Sequence, residues 1–291
     1  MAMDIGDVRR IAVIGAGTMG AGIAQTCAAA GFEVSMRDVE ARFVEGGLRR
    51  IREPLEARVS KGKMAREDVD AVFRRIRGTV DLAEALDGAQ VVIEAILEKM
   101  DLKRALYAEM DRLGPPEVVF ASNTSSLSIT EMANATSRAD RVIGMHFFNP
   151  APVMKLVEII RGSETSDATV RLARDLCARL GKEPVEVKES PGFVVNRLLV
   201  PMLNEAFNLL QEGAARAEDI DKAMKLGTNM PMGPFELGDY TGLDVALDVM
   251  EVLHRETGDP RFRPSPLLRK YVRAGRLGRK TGRGVYEYGP E

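Results

Sequence analysis

The chain has 291 residues, enough for one large domain or two. Its apolar (45%) and charged (29%) fractions are those of an ordinary globular protein, and a net charge of −2 gives no basic field to draw in nucleic acid or an acidic membrane surface. No apolar run is long enough to span a bilayer, the first ten residues lack the apolar stretch of a secretory signal, and no Cys/His cluster has metal-ligand spacing; no membrane partner and no metal are expected. Cys27 and Cys177, both in helix-like stretches, read as buried, reduced thiols, which fits a cytoplasmic protein.

Arg10-Ile11-Ala12-Val13-Ile14 is a short strand run, followed at once by Gly15-Ala16-Gly17-Thr18-Met19-Gly20. Ala21 to Ala30 is an alanine-rich helix stopped at Gly31, and Phe32 to Arg37 returns to a strand that ends at Asp38. This βαβ unit is the setting in which a glycine-rich turn binds a dinucleotide. Gly15 permits the tight turn, Gly17 lets the backbone approach a pyrophosphate, and Gly20 lets helix and strand pack closely. The helix N-terminus, with Thr18 and Met19 in its entry, offers N–H groups to the phosphates. Asp38 suits both hydroxyls of an adenosine ribose and repels a 2′-phosphate, which favours NAD over NADP. Arg37 beside it is the feature that tolerates the phosphate, and the plainer reading of Asp38 is a solvated loop acid.

Val39 to Lys61 reads as one long helix or two, with Pro54 expected to kink or break it. Its arginines, with Ser60, Lys61 and Lys63 after them, are either a solvated face or a docking surface for a polyanionic handle such as the phosphates of coenzyme A. Further along, Val91-Val92-Ile93 ends at Glu94, Val118-Val119-Phe120 ends in Ala121-Ser122-Asn123-Thr124-Ser125-Ser126, and Val142 to Met145 ends at His146. Helical segments intervene, notably Met100 to Leu113. Strands alternating with helices predict a doubly wound, mainly parallel sheet, whose ligands bind outside the carboxyl ends of the strands. The polar residues at those ends are therefore expected to face one crevice. His146 is one of only two histidines, and its place makes it a candidate general base as well as a candidate core or turn histidine.

After Pro150 the pattern changes. Val153 to Ile160 extends the sheet, Ser166 to Leu180 is a helix and Glu183 to Val187 another strand. Beyond Ser190-Pro191-Gly192 only helices are expected: Val194 to Glu212, Ala217 to Met224 and Leu243 to Arg255, with Pro231, Gly233 and Pro234 breaking the chain between the last two. This places a domain boundary near Ser190, giving a nucleotide-binding domain over 1–189 and a helical domain over 190–291. The apolar residues of the second domain, at helical spacing, suit a core or a subunit interface.

Oxidising a secondary alcohol needs a base for the hydroxyl proton and a nicotinamide for the hydride. The base needs a partner, usually a carboxylate, to fix its tautomer. Glu158 stands in the apolar run Leu156-Val157-Glu158-Ile159-Ile160, where an unpaired charge is costly. A strand returning through the Asn149-Pro150 turn brings it near His146; the alternative is a glutamate on the exposed face of an edge strand. Ser125 and Asn196 are suited to holding the substrate oxygen.

The strings GAGTMGAGIAQ, FASNTSSLSIT, HFFNPAPVMKLVEII, SPGFVVNRLL, PMGPFELGDYTGLD and GRLGRKTGRGVYEY, in this order along the chain, resemble the L-3-hydroxyacyl-CoA dehydrogenases, most of all the short 3-hydroxybutyryl-CoA type. The resemblance implies a Rossmann-type domain, a helical C-terminal domain that forms a homodimer, and an acyl-CoA substrate. It implies a catalytic pair at His146 and Glu158, substrate contacts at Ser125 and Asn196, and coenzyme A contacts near Ser60, Lys61 and Lys63. Glu98, Lys103 and Asn123 join the glycine loop and Asp38 as its cofactor residues. Glu98-Lys99-Met100 departs from the more usual acid or amide after that glutamate. Two rivals remain: a relative on the same scaffold acting on a non-CoA alcohol such as a sugar acid or carnitine, and a crystallin-like nucleotide binder without catalysis.

Overall fold

The computed structural model describes residues 3–289. The chain divides into two compact units, Met1–Glu189 and Ser190–Glu291. The first holds, in chain order, β1 (Arg10–Ile14), α1 (Thr18–Ala29), β2 (Glu33–Arg37), α2 (Ala41–Ser60), α3 (Arg66–Arg74), β3 (Ile76–Thr79), α4 (Leu82–Leu86) and β4 (Val91–Glu94). It continues with α5 (Met100–Leu113), β5 (Val119–Ser122), α6 (Ile129–Ala133), β6 (Val142–Phe147), β7 (Leu156–Arg161), α7 (Asp167–Arg179) and β8 (Glu183–Lys188).

The eight strands form one sheet in the order β3-β2-β1-β4-β5-β6-β7-β8. β1 to β6 run parallel; β7 turns back antiparallel to β6, and β8 is parallel to β7. The central strands are apolar along their length because helices cover both faces, and β4, β5 and β6 are buried throughout. The strand order reverses between β1 and β4, and ligands enter at such a switch point. The fold is the doubly wound, mainly parallel sheet that the alternation of segments predicts.

Three details differ from that expectation. α2 runs unbroken through Pro54. Pro54 is exposed, so the carbonyl four residues earlier, deprived of its N–H, can turn to water. Residues 153–155 are not strand: Val153 N and Met154 N both donate to Pro150 O, forming a turn, and β7 starts at Leu156. β3, α3, α4 and α6 had no sequence signal strong enough to name them. β3 is Ile-Arg-Gly-Thr on the sheet edge, with no buried residue to impose alternation, and α4 is little more than one turn, started by Asp81 accepting from Glu84 N.

Cys27 and Cys177 are free and buried, and burial pushes both thiols up to about 12. Among the described residues no helix is long and apolar enough to cross a membrane, and no cluster of His, Cys, Asp and Glu could hold a metal ion.

The second unit contains α8 (Val195–Glu212), α9 (Ala217–Thr228), α10 (Pro234–Thr241), α11 (Leu243–Thr257) and α12 (Pro266–Arg273). Pro234, expected only to break the chain, opens α10 at its first position, where the missing N–H has no intrahelical partner to lose. Phe207 centres the core and meets Phe235 and Tyr271 edge-on, with centroids 5.1 and 5.6 Å away. Two buried aspartates fasten the rest. Asp221 accepts from Phe235 N and Glu236 N at the start of α10, and from Tyr286 Oη. Asp239 accepts from Val285 N (2.9 Å), Tyr286 N (2.9 Å) and Tyr288 Oη (3.0 Å), so the terminal GRGVYEY string is a clasp on the helices.

Replacing Asp239 by Ala leaves two N–H groups and a phenol without their acceptor. The expected loss is about 3 kcal/mol of stability, read as a lower urea midpoint; an unchanged midpoint rejects the clasp.

Candidate active site

The glycine loop sits at the switch point. Gly15 has φ +111°, and a Cβ there would lie 2.5 Å from Ala95 O; a Cβ on Gly20 would lie 1.8 Å from Gly15 O. Both positions demand glycine for the protein's own packing. Gly17 differs. It caps α1 at an ordinary φ of −67°, and nothing stands within 4 Å of where its Cβ would be. The space over Gly17, in front of the N–H groups of Thr18 and Met19, fits the pyrophosphate of a dinucleotide. Asp38, half-buried, accepts from Ala16 N through Oδ2 (2.7 Å) and from Val39 N through Oδ1 (2.7 Å). Its carboxylate thus braces the loop, and its remaining lone pairs suit ribose hydroxyls.

His146 and Glu158 face each other across the β6–β7 pair, directly opposite in register. Side chains opposite one another on antiparallel strands share a face. His146 Nδ1 and Glu158 Oε2 are 2.8 Å apart, and both residues are buried, Glu158 to 1% exposure. Because β8 lies outside β7, Glu158 is not on an edge strand. With the carboxylate as acceptor, Nδ1 carries the hydrogen and the imidazole lone pair is on Nε2. The Phe148 ring leans on the imidazole, centroids 4.5 Å apart.

The neighbouring strand ends are braced around this pair. Asn123 Oδ1 accepts from Phe147 N (2.9 Å), tying the end of β5 to β6 beside His146. Lys182 donates to Ala151 O (2.6 Å) and Met154 O (2.8 Å), pinning the loop between β6 and β7. Burial holds that ammonium below its ordinary pKa. A Cβ on Gly22 would come within 3.2 Å of Ala151 and Pro152, so α1 packs onto the same loop.

Glu94 and Ser122 do not face the crevice as expected; both lie wholly buried beneath it. Glu94 accepts from Lys103 Nζ (2.6 Å) and Ile96 N (2.7 Å) through Oε1 and from Ser122 Oγ (2.7 Å) through Oε2. Lys103 also approaches Glu98, at 3.4 Å. Lys103, expected among the cofactor residues, is buried, with its ammonium between the carboxylates of Glu94 and Glu98. Glu98 Oε1 accepts from Thr124 Oγ1 (2.6 Å), Ser125 N (2.8 Å), Ser125 Oγ (3.1 Å) and Ser126 Oγ (3.4 Å). Burial pushes the Glu98 carboxyl up, but Lys103 and the hydrogen bonds from Thr124 and Ser125 outweigh it and hold it below the ordinary range.

The first unit therefore gathers Gly15, Gly17, Gly20 and Asp38 at the switch point, with Glu98, Asn123, Ser125 and His146 along the carboxyl ends of the next strands and Glu158 opposite His146 on the antiparallel β7. Asn196 stands in the first turn of α8, in the second unit. Ser60 closes α2 and Lys61 and Lys63 follow it, all three exposed, at the end of a helix about 30 Å long whose other end follows Asp38. They are not part of the His–Glu cluster. Sequence reasoning missed the brace at Lys182 and the anchoring role of Glu94; the only signal for Glu94 was a carboxylate closing a wholly apolar strand.

Gly17→Ala separates fold from binding. The methyl meets no protein atom, so stability should stay within about 0.5 kcal/mol of wild type. It enters the pyrophosphate space, and the NADH dissociation constant should rise roughly tenfold to a hundredfold. Fluorescence titration with NADH checks this; unchanged affinity would remove the cradle assignment.

Residues 10–190 match the family model of the 3-hydroxyacyl-CoA dehydrogenase NAD binding domain, and residues 192–288 that of the 3-hydroxyacyl-CoA dehydrogenase C-terminal domain. A probable 3-hydroxybutyryl-CoA dehydrogenase of Bacillus subtilis is 52% identical over 282 residues, covering 97% of this chain and 98% of that protein. The human mitochondrial hydroxyacyl-coenzyme A dehydrogenase is 45% identical over 97% of this chain and 91% of its own length. The crystal structure of (S)-3-hydroxybutyryl-CoA dehydrogenase from Ralstonia eutropha superposes with a TM-score of 0.92 at 50% identity, covering 97% of this chain and all (100%) of that one. The chain belongs to the 3-hydroxyacyl-CoA dehydrogenase family.

Proposed function

We propose that this protein catalyses the reversible, NAD-dependent oxidation of (S)-3-hydroxyacyl-CoA to 3-oxoacyl-CoA, with 3-hydroxybutyryl-CoA as its substrate. The observation that carries the reading is the buried His146–Glu158 pair, 2.8 Å apart at the carboxyl end of β6. The names of the Bacillus subtilis and Ralstonia eutropha relatives support the four-carbon substrate.

A nicotinamide bound along the switch point supplies the acceptor for the hydride leaving C3. His146 takes the C3 hydroxyl proton on Nε2. Glu158 keeps the imidazole in that tautomer and stabilises the cation formed when Nε2 is protonated. Ser125 and Asn196 hold the C3 oxygen. Because the single proton of the alcohol goes to His146, the C3 oxygen accepts from the Ser125 hydroxyl in both directions, and that hydroxyl turns from Glu98 (3.1 Å) to donate to it. Asp38 reads the adenosine ribose. Ser60, Lys61 and Lys63 meet the phosphates of coenzyme A, an extended ligand able to reach away from the reacting carbon.

The active form is a cytoplasmic homodimer. Two free, buried thiols suit a reducing compartment, and Leu198 and Leu226 of the helical unit, 71% and 77% exposed, suit a subunit interface. Light scattering on the purified chain should give twice the monomer mass; a monomer at micromolar concentration contradicts this.

His146→Gln should lower turnover of acetoacetyl-CoA by roughly 10²–10⁴-fold while leaving NADH affinity within about twofold. Wild type assayed with 3-oxoacyl-CoA thioesters of increasing length should show its highest kcat/KM at four carbons, and with NADH over NADPH. Substantial activity in the variant overturns the base, and a preference for long chains overturns the substrate.

A further inference from the structure

Lys103 is wholly buried between two carboxylates, in a place the proposed proton transfer does not use. Burying an ammonium is costly, and a hydrophobic side chain of its length would fill the space without that cost. The geometry around it gives the charge a task. α5 supplies the lysine, the end of β4 supplies Glu94, and the β4–α5 loop supplies Glu98. Glu94 is fixed by three donors, Ile96 N, Ser122 Oγ and Lys103 Nζ, and is the firm end of the network. Glu98, about a third accessible, is the end that reaches the crevice. One of its oxygens collects four donors from Thr124, Ser125 and Ser126. Donors collected on one oxygen, with Lys103 behind, favour the ionised carboxylate.

We propose that Lys103, anchored by Glu94, is a positioning residue for Ser125. It keeps Glu98 charged and in place, and Glu98 fixes the Thr124–Ser126 turn and so the position of Ser125 in the crevice. This rests on the reading above that Ser125 contacts the substrate oxygen. Lys103 faces Glu94 from β4, Glu98 faces the hydroxyls of Thr124, Ser125 and Ser126 after β5, and Glu94 in turn faces Ser122 at the end of β5 and Tyr107 from α5. Tyr107, buried beside Glu94, stays neutral because burial and that carboxylate raise its pKa well above the ordinary value.

Two variants of the full-length protein should act with opposite sign. In wild type the lowered Glu98 pKa contributes stability that is present above the unfolded value and lost as pH falls through the folded one. Lys103→Met leaves two carboxylates without a cation. Glu98, nearer water, then takes a proton in the folded state, and its pKa rises. Stability is then present below the unfolded pKa and lost as pH rises through the folded one. Relative to wild type, the melting temperature of cofactor-free Lys103→Met should therefore fall between about pH 5 and pH 8. Glu94→Gln leaves the ammonium to Glu98 alone, lowering its pKa further and moving the acid end of the melting curve to lower pH. Adding Glu98→Gln to either variant should flatten the change. In assays, Lys103→Met should lose roughly tenfold to a hundredfold in kcat/KM near neutrality, recovering part of it as pH rises; Lys103→Arg should keep the wild-type pH profile.

Shifts of the same sign in both variants, or none, overturn the proposal. So does a shifted melting curve with unchanged kcat/KM, since the network would then exist without positioning Ser125. If Lys103→Met does not fold, Glu94→Gln decides alone: an unmoved acid end overturns the network. The melting curves involve no turnover, so they separate this proposal from the reaction itself, which His146→Gln tests.

Discussion

Everything at the site depends on one reversal of chain direction. A purely parallel sheet needs a crossover of a dozen or more residues between neighbouring strands. After β6 the chain instead turns back at once, and β7 pairs antiparallel with His146 opposite Glu158. The pairing puts an imidazole and a carboxylate on one face with no side chain having to reach. It also buries the carboxylate, because β8 extends the sheet beyond it. A buried carboxylate requires a partner, so each member holds the other. The register of two strands is thereby also the geometry of the pair, and a one-residue slip would send the two side chains to opposite faces.

The loop that makes the reversal is held from both sides. Lys182 donates to two of its carbonyls, and α1 lies against it at Gly22. That second contact links the two halves of the site. The helix whose N-terminus offers N–H groups to a dinucleotide is the one that abuts the loop behind His146. Asp38 adds a brace just ahead of the N-terminus of α1, through Ala16 N. Small residues on α1 permit these approaches. Gly20 is there for Gly15 and Gly22 for the loop, and Gly17 has no packing duty.

How legible each part was in the sequence follows from how local its cause is. The βαβ unit, the strand ends and the break at Ser190 are written in adjacent residues, as apolar runs closed by glycine, proline or a polar group. The opposition of His146 and Glu158 was legible because only twelve residues separate them and a turn signal lies between. Glu94 looked like another crevice residue, since its place at a strand end gives no hint of a lysine nine residues on reaching back beneath it. Helix geometry alone did not reveal this; it needed the depth at which α5 packs on the sheet. Pro54 misled for the same reason, because whether a proline breaks a helix depends on whether the freed carbonyl meets water. The resemblance to 3-hydroxyacyl-CoA dehydrogenases named residues but not their depth, and Lys103, buried between two carboxylates, is the clearest case.

The two buried carboxylate pairs at the strand ends divide the electrostatic work by the chemistry of their basic partners. Histidine gains and loses its proton near neutral pH, so a carboxylate behind it can favour a cation that exists only during reaction. The carboxylate of Glu94 instead anchors the ammonium that faces Glu98. Exchanging the two cations would defeat both sites. A lysine at position 146 would be protonated from the start and unable to accept the alcohol proton. A histidine at position 103 would release Glu98 whenever it became neutral, and the turn carrying Ser125 would loosen with pH. The sheet sets one group that must titrate beside groups that must not, and the residue types follow from that requirement.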